Sequence, residues 1–122
     1  MENNTEAIRL RLYMSNTDKF RHSTLSETII FAAKRYGLSG ATTLRGSMGY
    51  GSGSVVHSSK FWEITEKMPV IVEIVDNSDK IDQFLDVILP WFQKIPTGCL
   101  ITSEKVHIVL SKPGRMKKIF NL

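Results

Sequence analysis

The stretch Pro69-Val70-Ile71-Val72-Glu73-Ile74-Val75 decides the fold of this chain. It is the run of sequence richest in β-branched side chains, and such residues favour the extended backbone of a pleated sheet. We therefore predict a central β-strand over Val70–Val75, introduced by Pro69. The remaining elements can be placed around this strand.

A second strand is predicted near the N-terminus, over Glu6–Met14. Arg9, Arg11 and Tyr13 point to one side of it. The residues that point to the other side are Ile8, Leu10, Leu12 and Met14. A period of two residues is typical of a strand with one face in the core. The polar stretch 15–23 that follows is predicted to be mostly loop.

A first helix is predicted after Thr24, because Thr24 and Glu27 have the spacing of a capping box. Gly37 is predicted to end the helix in a left-handed backbone conformation. Leu38 stands at the position that commonly makes a hydrophobic contact after such a helix end. The apolar residues at helical spacing between these signals are Leu25, Ile29, Ala32, Ala33 and Tyr36.

A second helix is predicted to begin at Asn77 or Ser78, either of which can act as its cap. Pro90 is expected to end or kink this helix at Leu89, because proline disfavours helical backbone at the preceding residue. The apolar stripe of the helix consists of Ile81, Phe84, Leu85, Ile88 and Leu89.

Three further extended segments complete the order. Ala41–Met48 is predicted to be a strand, and Phe61–Ile64 is predicted to resume strand character briefly. A turn is predicted at Pro96–Gly98. The last strand is predicted from the alternation of Val106, Ile108 and Leu110.

The element order is β-α-β-β-α-β, which predicts an α+β, ferredoxin-like fold: a four-stranded antiparallel sheet with two helices on one face. With 122 residues, the chain is predicted to be a single domain, 1–122. Within it we expect a flexible loop at about 46–67 and a basic C-terminal tail at 112–122. The opposite sheet face is expected to carry Tyr13, Ile71, Glu73, Val75 and Val109.

That uncovered sheet face predicts a homo-oligomer whose sheets face one another, because exposed apolar sheet surface tends to mark an interface. The alternative is the half-polar face of a monomer.

The stretch Thr42–His57 holds four of the eight glycines, interleaved with serines. A segment of this composition is either a mobile surface connection or a cradle of backbone N–H groups for an anion. It matches neither a Walker motif nor a dinucleotide-binding fingerprint. Arg45, directly before the glycines, supplies a fork-shaped cation suited to a phosphate or carboxylate.

Composition excludes several function classes. A net charge of +4 without an aromatic-studded basic patch disfavours nucleic-acid binding. A single cysteine, Cys99, excludes an internal disulfide, and with the polar N-terminus it favours the cytoplasm. Cys99 is expected to be a small buried thiol.

The histidines, at 22, 57 and 107, lack metal-ligand spacing, so no metal or catalytic constellation is predicted.

Several motifs carry a family resemblance that spans nearly the whole chain. They are Leu10-Arg-Leu-Tyr13, Ala41-Thr-Thr-Leu-Arg-Gly-Ser-Met-Gly-Tyr-Gly51 with Val56-His57, Met68-Pro-Val-Ile-Val-Glu-Ile-Val-Asp76, and Gly98-Cys-Leu-Ile-Thr102. In these motifs the chain resembles the bacterial and archaeal domain-of-unknown-function family 190. That family is similar to the PII signal-transduction proteins, which are ferredoxin-like homotrimers that sense adenine nucleotides in clefts between subunits.

The resemblance to PII proteins implies specific roles for residues. The Gly-Phe-Gly pattern at the base of the PII T-loop matches Gly49-Tyr50-Gly51, the third-strand pattern matches Val72–Val75, and the opening of the PII B-loop matches Thr97-Gly98. The Gly-Asp-Gly-Lys part of the B-loop is replaced by 101–104, with Lys105 displaced by one position. This departure favours a smaller or less charged nucleotide over ATP with magnesium.

The resemblance and the residues together predict a trimeric, non-enzymatic regulator that binds a small effector, an adenine nucleotide, and signals through the loop between its second and third strands. The effector site is predicted to include Arg45, Gly46, Gly49, Tyr50, Gly51, Val75, Gly98 and Lys105. The partner-docking loop is predicted to include Ser52, Gly53, Ser54 and His57.

Two alternatives remain open at this point. One is an accessory regulator of a membrane transporter for ions such as fluoride, acting without a small ligand, since relatives of the family are found joined to fluoride-channel domains. The other is a small enzyme with a subunit-interface site that uses His57 or His107.

Overall fold

The computed structural model describes residues 1–51, 57–58 and 67–115. In chain order its elements are β1 (Thr5–Ser15), β2 (Lys19–Phe20), β3 (Ser23–Thr24), α1 (Leu25–Arg35), β4 (Ala41–Arg45), β5 (Met48–Gly49), β6 (His57–Ser58), β7 (Pro69–Asp76), α2 (Ser78–Gln93) and β8 (Leu100–Ile108). Four strands form an antiparallel sheet in the order β4-β7-β1-β8. Both helices pack on one face of this sheet, so the α+β ferredoxin-like prediction is confirmed.

The strand predicted to be central, β7, lies between β4 and β1. Val70, Val72 and Ile74 are buried on the helix side, whereas the residues between them face the other way. Ile74 stands opposite Leu10 of β1, and both side chains are fully buried. Cross-strand pairs of this kind are the contacts that stabilise a sheet.

The helices complete the core with apolar residues at helical spacing. The buried ones are Leu25, Ile29, Ala32 and Ala33 of α1, and Ile81, Phe84 and Ile88 of α2. Full burial of a large apolar side chain is worth about 1.5–3 kcal/mol. Leu89, predicted in the stripe, is mostly outside the core because it follows Ile88 by one position and turns toward solvent.

The predicted ends of α1 are confirmed. The Thr24 hydroxyl accepts a hydrogen bond from the Glu27 N–H at 3.3 Å. At the other end Gly37 has φ of +78°, a left-handed conformation that favours glycine. The N–H of Leu38 then donates to the carbonyl of Ala33 at 3.0 Å, and the Leu38 side chain is buried. These contacts close the helix as a Schellman-type turn does.

Pro90 was predicted to end or kink α2 at Leu89, and the predicted end is wrong, because the helix continues through Pro90 to Gln93. Asn77 is the cap at its start, and its side chain accepts from the Lys80 N–H at 2.9 Å. Proline removes one backbone donor from a helix. The last turn is held by packing, since Trp91 stacks on Phe20 with ring centroids 5.1 Å apart.

Two predicted strands have different limits. β4 ends at Arg45 rather than Met48, and Met48–Gly49 instead pairs with His57–Ser58 in a separate two-stranded ribbon. β8 begins at Leu100, earlier than predicted, and ends at Ile108. The reason is its long register with β1, which runs from Leu100 opposite Tyr13 to Ile108 opposite Thr5.

Because β8 ends at Ile108, two predictions are wrong: that Leu110 belongs to the last strand, and that Val109 lies on the sheet face away from the helices. Both lie beyond the strand and are largely exposed. The predicted strand Phe61–Ile64 lies outside the described residues, as do most of the predicted loop and of the basic tail.

Candidate functional site

The glycine-rich segment leaves and rejoins the sheet at one place. The N–H of Gly46 donates to the carbonyl of Pro69 at 2.9 Å, directly after β4 and at the start of β7. Asn16 holds the returning chain twice: its N–H donates to the carbonyl of Met68 at 2.9 Å, and its side-chain oxygen accepts from the Met68 N–H at 2.8 Å. We call these contacts of Gly46, Asn16, Met68 and Pro69 the segment base.

Gly46 is needed at the segment base because of close packing. A Cβ on this residue would lie 2.8 Å from Cγ of Pro69, and a proline ring cannot rotate away. We expect Gly46→Ala to lower the free energy of unfolding by about 1–3 kcal/mol, the usual cost of overpacking. Gly40→Ala is the control, since nothing lies within 4 Å of a Cβ there. Urea denaturation of both variants is the measurement, and equal stability would contradict the role assigned to Gly46.

Arg45 lies at the β4 edge of the four-stranded sheet and on its helix side, because it pairs with Val70, which is buried on that side. It lines a groove of about 650 Å³ between β4 and the start of α1. Thr24, Ser26, Thr43 and Glu27 line the same groove. Arg45 makes no ion pair with another described residue. The groove therefore combines an arginine with several hydroxyl-bearing residues.

The other predicted residues of the glycine segment lie close to Arg45 in the chain. Gly49 pairs with the backbone of His57 in the short ribbon, and Tyr50 is largely exposed. Gly51 is the last described residue before 57. Ser52, Gly53, Ser54 and the side chain of His57 lie outside the described part.

The remaining predicted site residues lie elsewhere in the same chain. Val75 pairs with Arg9 and lies on the sheet face away from the helices. Lys105, on β8, pairs with Ile8. Gly98 comes just before β8, at the same end of the sheet as Arg45. Neighbouring strands are about 4.8 Å apart, so the β4 and β8 edges are separated by roughly 14 Å. One copy of the chain does not bring these residues together with Arg45.

The sheet face away from the helices is largely apolar at one end. Leu44, Ile71, Tyr13 and Leu100 stand side by side, one from each strand, and we call them the apolar row. Leu44 and Leu100 are exposed, and Tyr13 and Ile71 are half-buried. The prediction that Tyr13, Ile71, Glu73 and Val75 share this face is confirmed, whereas that for Val109 is wrong.

Two ion pairs lie next to the apolar row. Arg11 Nε donates to Glu73 Oε2 at 2.9 Å, and Arg9 Nε donates to Glu104 Oε1 at 2.8 Å. The hydrogen bond to Glu73 raises the pKa of Arg11. Arg11 also lies 4.0 Å from Glu104, so the four groups form one network with no net charge. The sequence prediction missed this network, although Arg9 and Arg11 were placed on the correct face.

Cys99 is exposed, so the prediction of a buried thiol is wrong. Partial desolvation, with the negative charge of Asp18, raises the pKa of the thiol. A raised pKa lowers the thiolate fraction and makes Cys99 a weak nucleophile. The described residues contain no cluster of three or more His, Cys, Asp or Glu side chains arranged for a metal ion. Their helices also include none with the length and apolarity to cross a membrane.

The chain matches a known protein family over most of its length. The family DUF190, described as Uncharacterized ACR, matches residues 7–108. The chain belongs to this family. A UPF0166 protein of Aquifex aeolicus is 33% identical to this DUF190 chain over 82% of it and 90% of the relative. A UPF0166 protein of Methanocaldococcus jannaschii is 31% identical over 81% of the chain and 88% of the relative.

Solved structures that share the fold of the DUF190 chain include PII-like proteins. One of them is CPII, a nitrogen regulatory PII-like protein from Thiomonas intermedia K12, solved with ADP, AMP and bicarbonate. Its TM-score is 0.66 at 12% sequence identity, and the match covers 87% of this chain and 91% of CPII. A putative PII-like signaling protein of Thermus thermophilus has a TM-score of 0.62 at 16% identity, covering 88% of this chain and 94% of that protein. The PII-like fold implied by the resemblance is confirmed.

Proposed function

We propose that this DUF190 protein is a non-enzymatic, PII-like regulator that binds an adenine nucleotide at clefts between the subunits of a homotrimer. The observation that carries the proposal is Arg45, a guanidinium without an ion-pair partner among the described residues, in an open groove beside a glycine-rich segment. The fold shared with CPII, which has been solved with ADP and AMP, supports it.

The apolar row supports self-association. Exposed Leu44 and Leu100 lose contact with water if sheet faces of three copies meet around an axis. In a cyclic trimer each subunit contacts its neighbours through two different surfaces, so the β4 edge of one copy can approach the β8 edge of the next. Such packing would bring Gly98 of one subunit toward Arg45 of another. Val75 and Lys105 remain proposed members of the site, toward the other end of the cleft.

The groove chemistry favours a nucleotide with few phosphates. Arg45 can hold anionic oxygens in a forked pair of charge-assisted hydrogen bonds. The hydroxyls of Thr24 and Ser26 can donate to the same oxygens, and N–H groups around Gly49–Gly51 are proposed to line the site. The carboxylate of Glu27, in the same groove, repels added negative charge. We therefore favour AMP or ADP over ATP.

Signalling is proposed to pass through the segment that begins at Gly46. Both ends of this segment are fixed at the segment base, and Arg45 is adjacent to it. A nucleotide that binds one arrangement of the segment better than another shifts its population toward that arrangement. The changed segment, including Ser52, Gly53, Ser54 and His57, would then dock a partner protein.

The test of the proposal is nucleotide binding by an Arg45→Ala variant. Loss of a charge-assisted hydrogen bond costs about 1.5–3 kcal/mol, so AMP affinity is expected to fall by about tenfold or more. Isothermal titration calorimetry with AMP, ADP and ATP measures this change, and light scattering checks that the oligomer is intact.

Lys94→Ala is the matched control, because it removes an exposed positive charge at the end of α2 and should leave AMP binding unchanged. If the wild-type protein binds no nucleotide, the proposed sensor function fails. If Arg45→Ala binds AMP as the wild type does, Arg45 is not part of the site.

The alternatives give different results in the same experiments. An enzyme would convert the bound nucleotide to a product, which chromatography of the mixture detects. A transporter regulator without a small ligand would bind none of the nucleotides and would co-purify with a membrane protein.

A further inference from the structure

A second groove lies on the helix side of the molecule, between α1, the turn joining β2 to β3, and the end of α2. It has a volume of about 580 Å³, and we call it the outer groove. Its lining includes four aromatic residues and three basic residues: Phe20, Phe31, Tyr36 and Trp91, and Arg21, His22 and Arg35. Phe31 is 72% exposed and Tyr36 is 53% exposed, which is unusual for aromatic side chains on a packed helix.

The floor of the outer groove is a fixed stack. Phe20 and Trp91 lie nearly parallel, with an interplanar angle of 17°, and the Arg21 guanidinium lies 5.1 Å from the centre of the Phe20 ring. Phe20 is buried, so the stack is anchored in the core. A preformed aromatic surface of this kind loses little conformational entropy when a partner binds.

The charges around the outer groove are of one sign. Arg21 and Arg35 make no ion pair with any residue in the described part of the chain. No aspartate or glutamate is among the residues that line the outer groove. The outer groove is therefore complementary to an acidic ligand.

Arg21 adopts a costly backbone conformation, which is an observation independent of the charges around the outer groove. It is the first residue of the two-residue turn between Phe20 and Ser23, with φ of +61°. Glycine is favoured at this position in such turns, and the left-handed region costs another residue about 1 kcal/mol. Arg21 stands where glycine would relieve strain. Its contact with Phe20 offsets part of this cost and holds the guanidinium at the groove, and strained residues of this kind cluster at binding sites.

We propose that the outer groove is a docking site for an acidic segment of a partner protein that carries an aromatic or aliphatic anchor residue. Aromatic residues and arginine are the types most enriched at protein interfaces. The outer groove lies on the helix side, away from the apolar row, so it stays accessible when the sheet faces associate. Phe31 lines both grooves, but the charged residues differ: Arg21, His22 and Arg35 line the outer groove, and Glu27 and Arg45 line the proposed nucleotide groove.

The experiment uses a random copolymer of glutamate and tyrosine as the probe, titrated into the full-length protein by calorimetry. The wild type is expected to bind this probe more tightly than polyglutamate, because polyglutamate lacks the anchor. Arg35→Glu reverses one charge at the groove and is expected to weaken binding by about tenfold or more. Lys112→Glu is the control: it makes the same charge change in an exposed residue outside the groove and should have no effect.

A second variant separates binding from folding. Arg21→Gly is expected to weaken probe binding without lowering the melting temperature, since relief of strain offsets the lost contact with Phe20. The proposal is overturned if the wild type binds no probe, if polyglutamate binds equally well, or if Lys112→Glu weakens binding as Arg35→Glu does. Binding to phosphatidylglycerol vesicles without binding to the copolymer would also overturn it, in favour of a lipid surface.

The same variants distinguish this proposal from the nucleotide proposal. Arg35→Glu is expected to bind AMP as the wild type does, because Arg35 does not line the Arg45 groove. Arg45→Ala is expected to keep its affinity for the copolymer. Loss of both ligands in either variant would contradict the separation of the two sites.

Discussion

Leu44→Glu is expected to convert the proposed homotrimer into monomers. Leu44 belongs to the apolar row and is 45% exposed in the single chain, so glutamate there is hydrated in a monomer and the fold is kept. In an assembly with the sheet faces together, the same carboxylate would be buried without a partner. Such burial costs several kcal/mol, enough to dissociate the subunits at micromolar concentration. Size-exclusion chromatography with light scattering gives the mass.

Leu89→Glu is the matched control for this experiment. Leu89 is 44% exposed, almost the same as Leu44, but it lies on α2 and not on the sheet face. The variant should keep the mass of the wild type, and circular dichroism should show both variants folded. A wild-type monomer, or a Leu44→Glu variant that keeps the wild-type mass, would exclude the apolar row as the interface.

A large loss of stability is expected for Asp76→Ala. Asp76 is 1% exposed at the end of β7, and its two carboxylate oxygens accept the N–H of Ser39 at 2.8 Å and of Asn77 at 2.7 Å. These bonds tie the connection after α1 to the start of α2. Alanine leaves two backbone donors without their acceptor, which should lower the free energy of unfolding by about 2–4 kcal/mol. Urea denaturation measures the loss.

Two further substitutions test whether this loss comes from the hydrogen bonds. Asp79→Ala, at an exposed site in the first turn of α2, removes only a favourable interaction with the helix dipole, worth about 0.3–1 kcal/mol. Asp76→Asn keeps one acceptor oxygen and turns an NH₂ group toward the second donor, so an intermediate loss is expected. If Asp76→Ala is no less stable than Asp79→Ala, the carboxylate does not hold this junction.

The sequence predicted the order of the elements well because local signals mark them. The alternation in β1, the β-branched run of β7, the cap at Thr24 and the glycine at 37 each act within a few residues. Features that depend on register were predicted less well. The limits of β8 depend on its pairing with β1, and the bond between Arg9 and Glu104 joins residues 95 positions apart. Neither can be read from a short window.

Local rules failed at two positions. Of the two outcomes predicted for Pro90, an end or a kink of α2 at Leu89, the end is wrong, because the contact of Trp91 with Phe20 holds another turn beyond it. Cys99 was predicted to be a small buried thiol because no base lies near it in the sequence, yet it lies on an exposed connection just before β8. Tertiary contacts and surface position are not encoded in the residue type alone.

The candidate site was predictable only in part. Arg45 and the glycines were selected because of their chemistry and their position after a predicted strand, and the structure adds the groove beside α1. The outer groove gave no signal in the sequence. Its residues come from the turn after β2, from α1 and from α2, and only the packing of these elements brings Arg21, Tyr36 and Trp91 together.

The segment base has a consequence for the evolution of chain length. Because Gly46, Asn16, Met68 and Pro69 join the two ends where the segment meets the sheet, the pairing of β4 with β7 does not depend on how many residues lie between them. Doubling the length of a closed loop costs only about 0.6 kcal/mol of entropy. Insertions and deletions between the fixed ends are therefore inexpensive for the fold, and the length and composition of the segment can change while β4 and β7 stay paired.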